Sequence, residues 1–66
     1  MAVVKIIELL TESSESWEAA TKAAVAEASK RIRNIQTVYI ENFQAVVGKD
    51  GELKYRVDAK VSFIVE

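Results

Sequence analysis

Hydrophobic and polar residues alternate strictly near the end of this chain. Leu53, Tyr55, Val57, Ala59, Val61, Phe63 and Val65 fall on one side, and Lys54, Arg56, Asp58, Lys60 and Ser62 on the other. A period of two marks a strand with one dry face and one wetter face. At about 3.3 Å per residue such a strand reaches about 40 Å. A helix of about twenty residues, rising about 1.5 Å each, covers only about 30 Å of it. Part of the sheet therefore needs cover that one chain does not supply, and other copies of the chain are the expected source.

Upstream, the pattern predicts three more segments. Val3 to Leu10 reads as a first strand with apolar groups on both faces, Val4, Ile6 and Leu10 on one and Val3, Ile7 and Leu9 on the other, so both faces are expected to be covered. The hydroxyl-rich run Thr11 to Ser16 reads as a turn ending in a helix N-cap, with Ser13 preferred because it puts Glu15 in the first turn, and Ser14 and Ser16 as alternatives. From about Ser14 to Asn34, Trp17, Ala20, Ala24, Ala28 and Ile32 recur at spacings of three and four, flanked by Thr21 and Val25, which predicts an amphipathic helix terminated at Asn34. Six of the ten residues from Ala19 to Ala28 are alanine, a smooth helical face that a curved sheet can approach closely. Glu18 and Lys22 form an i,i+4 pair in the favourable order.

A second strand is predicted from about Ile35 to Val47. Its apolar positions shift phase, Val38 and Ile40 being even and Phe43, Ala45 and Val47 odd, so a bulge is expected near Glu41 and Asn42. Gly48, Lys49, Asp50 and Gly51 then make a four-residue hairpin connection into the third strand. The expected fold class is α+β with the order β-α-β-β, the last two strands forming a long antiparallel hairpin around one helix. Residues 1–66 are expected to form a single domain.

Composition sharpens the case for self-association. The chain has 66 residues, half of them hydrophobic, with no Cys, His or Pro and a formal charge of -1. Domains of this size bury only about 60% of their unfolded surface and usually need disulfides, metals or oligomerisation. Disulfides and thiolate or imidazole metal sites are ruled out by the residue types, which leaves oligomerisation. The segment from Met1 to Lys5 is no signal peptide or membrane span, so a cytoplasmic location without membrane partners is expected. An isoelectric point near 5.4 and one small basic cluster, Lys30, Arg31 and Arg33, do not make a nucleic-acid footprint. That cluster suits a helix C-terminus.

The absent residue types also remove most catalysis. Without His or Cys the chain lacks the usual general base, the thiolate nucleophile and the common transition-metal ligands. The serines have no His to activate them, and Gly48 and Gly51 sit in a hairpin that opens no helix, so they are no phosphate loop. Carboxylates pair at Asp50 with Glu52 and at Glu12 with Glu15; neither matches an EF-hand, and both read as solvated surface. Trp17 is expected as a core or interface plug, and Tyr39 and Tyr55 are expected to pair across the sheet. Arg56 and Lys60 lie on the polar face of the third strand, suited to a partner subunit's carboxylate or to a phosphate. A non-enzymatic protein is the reading these residues support.

The β-α-β-β order, the Thr-Glu-Ser-Ser-Glu-Ser-Trp approach to an alanine-rich helix, and the closing Tyr55-Arg56-Val57 … Lys60-Val61-Ser62-Phe63 strand together resemble the dodecin family across nearly the whole chain. That resemblance implies a three-stranded antiparallel sheet curled around one helix and a hollow homododecamer with cubic-type symmetry. It also implies flavin binding or storage, the ring being sandwiched by a tryptophan early in the second strand and bonded by a glutamine of the third. Lining up the chain puts Thr37 at the position of that tryptophan and Arg56 at that of the glutamine, so affinity for FMN or riboflavin is expected to be weakened. Tyr39, two residues on and on the same side, is the remaining aromatic candidate, and Arg56 is a candidate for the phosphate of FMN or coenzyme A. Family members that lack the flavin tryptophan and carry one at the helix start, as Trp17 does here, imply calcium as the alternative ligand, in a binding or structural assembly that never takes up flavin.

Overall fold

The computed structural model describes residues 2–65; Met1 and Glu66, included in the expected domain, lie outside the described residues. The chain forms β1 (Val3–Ser13), α1 (Trp17–Ser29), β2 (Ile35–Val47) and β3 (Leu53–Val65). One antiparallel sheet of order β1-β3-β2 results, so the strictly alternating strand is the central one.

The two faces of β3 divide as its alternation predicts. Val57, Ala59 and Val61 are buried beneath α1, whose Ala20, Ala24 and Ala28 are buried in return. Ala20 and Ala24 of the helix and Val57 and Ala59 of the sheet form one buried cluster, with Leu9, Val38 and Ile40 packed against it. The Glu18–Lys22 pair forms at 3.2 Å.

α1 is shorter than its apolar stripe suggests. Ser16 caps it, accepting from Ala19 N at 2.9 Å, while the preferred Ser13 ends β1 and its hydroxyl accepts from Glu15 N at 3.0 Å, closing the turn before the helix. The helix stops at Ser29 with Lys30 as C-cap. Residues 30–34 are not helical, and Asn34 turns the chain at φ 62°. Asn34 thus redirects the backbone into β2 rather than ending the helix. With 13 residues, α1 covers about 20 Å of a body 51 Å long.

The uncovered length is correspondingly large. β1 extends three residues past Leu10, and its pairing with β3 runs unbroken from Val3 opposite Val65 to Ser13 opposite Tyr55. Only Ile7 and Leu9 among its apolar residues are even half-buried; Val3, Val4, Ile6 and Leu10 are exposed, so one chain does not cover both faces of this strand. Phe43, Val47 and Leu53, at the hairpin end, are also exposed.

The expected bulge in β2 is present as a register shift between Ile40 and Asn42, and a second shift separates Ile35 from Thr37. The hairpin connection has one residue more than predicted, because the last pair is Val47 with Leu53. Gly48 N donates to Glu52 O at 2.7 Å, Asp50 Oδ1 accepts from Glu52 N at 3.0 Å, and Gly51 takes the positive φ of 86° that this tight turn requires.

Candidate functional site

α1 fills the middle of one face of the sheet, and the residues singled out as ligand candidates lie on the opposite, outward face. β2 contributes Thr37 and Tyr39 there, on the same side as expected: Thr37 lies opposite Ser62 and Tyr39 opposite Lys60. Tyr39 is 62% exposed. The hydroxyls of Thr37 and Ser62 sit 2.5 Å apart, so the position where a stacking ring is implied carries a closed polar pair. Tyr39 and Tyr55 do not pair, since Tyr55 lies opposite Ala45 and faces the helix side.

Arg56 is on the outward face of β3, but six residues from Ser62, a distance of about 20 Å along an extended strand. One chain therefore does not bring Arg56 together with Thr37 and Tyr39. Arg56 already has a carboxylate of its own chain: it lies opposite Glu12, and its Nε donates to Glu12 Oε1 at 2.8 Å. Lys60 likewise meets Glu41 at 2.6 Å. The partner-subunit carboxylates expected for these two cations are thus supplied internally. Glu41 holds the Lys60 ammonium above its ordinary value by hydrogen bonding and by charge.

The pairing of Arg56 was legible only through register. Glu12 faces Arg56 because β1 continues beyond Leu10, and the hydroxyl-rich residues Thr11 and Ser13 disguised that continuation as a turn. Thr11 spends its hydroxyl on Ala20 O at 2.7 Å, tying β1 to the helix.

Trp17 occupies the boundary between covered and bare sheet. Its ring packs edge-on against Phe43 and Tyr55, at centroid distances of 5.3 and 4.9 Å, and its Nε1 donates to Gln44 O at 3.0 Å. It is a plug, as its place on the stripe suggested, with 38% of its surface still open.

The two sequence-local carboxylate pairs are rearranged. Glu12, Asp50 and Glu52, together with Lys54, line an open groove of about 260 Å³ beside the hairpin, and Glu15 lies elsewhere in the turn before α1. Glu12 is engaged by Arg56 and Asp50 by the turn backbone. Among the described residues no three Asp or Glu side chains converge as a metal site would require. Among the described residues no helix is long and apolar enough to cross a membrane.

Known proteins share this arrangement. A family described as Dodecin matches residues 3–66. A dodecin of Thermus thermophilus is 34% identical over 64 residues, covering 97% of this chain and 93% of that protein. The calcium dodecin of Mycobacterium tuberculosis is 32% identical over 63 residues, covering 96% and 89%. A crystal structure of a T. thermophilus protein superimposes with a TM-score of 0.92 at 33% identity, covering 100% of this chain and 97% of the other. The crystal structure of the M. tuberculosis calcium dodecin, described as having a calcium-binding site, gives 0.89 at 30% identity, covering 97% and 91%. The match in sequence and in fold runs over essentially the full length, and this chain belongs to the dodecin family.

Proposed function

We propose that the chain is a non-enzymatic ligand-binding protein that works as a homododecamer, with binding sites formed where subunits meet and flavin as the ligand class, held more weakly than a stacking tryptophan would hold it. The observation that carries this reading is the separation of Arg56 along the strands from Thr37, by about 20 Å, and from Tyr39, by about 13 Å, within one chain. A site using all three must draw them from different subunits. The bare apolar side chains Val4, Ile6 and Leu10 on the same outward face support association of this kind.

Two features weaken flavin recognition. Thr37 offers no π-face, and its hydroxyl is already satisfied by Ser62. Arg56 must leave or share Glu12 before it can meet a phosphate, whether of FMN or coenzyme A. Native mass spectrometry of protein purified without added ligand tests the reading directly: a twelve-subunit species supports it and a monomer or dimer refutes it. Titration of riboflavin or FMN fluorescence then tests the ligand, since unchanged emission at high micromolar protein excludes flavin.

Calcium is the second reading, favoured by the relationship to the calcium dodecin and by the grouping of Glu12, Asp50 and Glu52 along one groove. In that case carboxylates of several subunits complete the coordination, and the mass increment of the native assembly is that of bound calcium, removable by chelation.

A further inference from the structure

The outward face of β1 carries one charged residue among its apolar ones before Glu12, namely Glu8, and the register places Glu8 opposite Lys60 and Leu10 opposite Asp58. Lys60 is the obvious counter-ion for Glu8, but its ammonium lies instead against Glu41 of β2. The next cation along β3, Arg56, is held by Glu12. Glu8 is left beside Asp58, its diagonal neighbour on the same face, within reach across an antiparallel pair. Asp58 Oδ1 is shielded from solvent and has no hydrogen-bond donor. Two carboxylates that neighbour each other diagonally on one face, one with a hidden acceptor oxygen, repel when both are ionised and attract when a proton lies between them.

We propose that Glu8 and Asp58 share one proton, forming an acid-tightened clasp between the edge strand β1 and the central strand β3 that loosens as the pH rises. The charged groups around it are Lys60 of β3, Glu41 of β2 and, one step further along the face, the Glu12–Arg56 pair; α1 lies on the other side of the sheet and adds no charge here. In keeping with the geometry, the Glu8 carboxyl is raised above its ordinary value of 4.5, first by its hydrogen bond with Asp58 and then by the charge of that group, with Lys60 opposing. The folded chain therefore keeps a proton that the unfolded chain has lost. The stabilisation is complete below pH 4.5 and disappears as the pH rises through the raised value of Glu8. The clasp does not depend on which ligand the protein binds.

The test is a carboxyl-carbon NMR titration of the assembled protein, labelled in Glu and Asp, combined with thermal unfolding at a series of pH values. Glu8 should titrate above 4.5 in the parent and return toward or below it in Asp58→Asn, whose amide donates to Glu8. Glu8→Gln should abolish the loss of thermal stability over the same pH window, because its amide supplies the missing donor at every pH. An ordinary Glu8 midpoint in the parent protein overturns the proposal. So does an equal fall in stability in parent and Glu8→Gln, a readout that holds even if Asp58→Asn fails to fold.

Discussion

Thr37 and Ser62 close a hydroxyl pair across β2 and β3 on the outward face, with 2.5 Å between their oxygens. The pair satisfies two polar groups at the point where a ligand-stacking ring is implied. Replacing Thr37 by Trp leaves the helix-side packing untouched and adds a π-face next to Tyr39. Each stacking contact contributes about 1 kcal/mol, so Thr37→Trp should tighten flavin binding by about fivefold or more per contributing subunit. Fluorescence quenching measures it, and unchanged affinity places the site elsewhere.

Arg56 faces a different competition. Its guanidinium is committed to Glu12, an exposed pair contributing at most about 1 kcal/mol to stability. Glu12→Gln should therefore fold normally and release Arg56 for anions, raising affinity for FMN relative to riboflavin. Equal gains for both ligands, or none, mean that Arg56 does not meet the phosphate.

Trp17 joins helix to sheet through two edge-on aromatic contacts and one hydrogen bond. Trp17→Ala should destabilise the protein by about 2–3 kcal/mol, below the range for a fully buried aromatic because part of the ring is open. Trp17→Phe should cost about 1 kcal/mol, mainly the lost hydrogen bond. Denaturant midpoints at matched protein concentration separate the two.

Ala24 is fully buried in the cluster that α1 makes with Val57 and Ala59 of the central strand. Ala24→Leu should cost about 1–3 kcal/mol by overpacking, whereas the same change at Ala23, which is exposed, should be nearly neutral. Similar melting shifts at both positions mean that the gap is wider than the packing implies.

Lys60 keeps its proton beyond the ordinary 10.5, because Glu41 bonds and attracts the ammonium. The folded state thus gains stability that is complete below 10.5 and is lost as the pH climbs through the raised value. Glu41→Gln should shrink that alkaline loss, read as the difference in melting temperature between parent and variant across the window. Parallel curves show the pair contributes nothing.

Much of this fold was legible because β3 is two-sided and regular. Its alternation marked Val57, Ala59 and Val61 as the covered row, and the phase change in β2 located the shift at Ile40 and Asn42. Signals that serve two roles misled. Ile32 continues the helical spacing after α1 has ended, because Arg31 and Ile32 still donate to Ala28 O while Asn34 turns the chain. Ser13, Ser14 and Ser16 are chemically equivalent caps, and only the place where β1 stops paired Ser13 with a strand and Ser16 with the helix. That Thr37 and Tyr39 share one side of β2, and that Arg56 and Lys60 share the polar face of β3, was legible, but their partnerships were not. Ser62, Glu12 and Glu41 lie 25, 44 and 19 residues from theirs, brought together by a register that no local pattern encodes.

The alternation of β3 has a consequence for how such a protein can change over generations. Its odd positions Val57, Ala59 and Val61 are committed to the alanine face of one helix, where a single extra methylene is felt. Within the chain, its even positions lie beside side chains of β1 and β2 rather than under the helix. Substitution at Arg56, Asp58, Lys60 or Ser62 therefore rewrites the charge and hydrogen bonding of the outward face while the helix-facing row goes on specifying the same backbone. One strand carries two texts, and the outer one can be edited without retyping the inner.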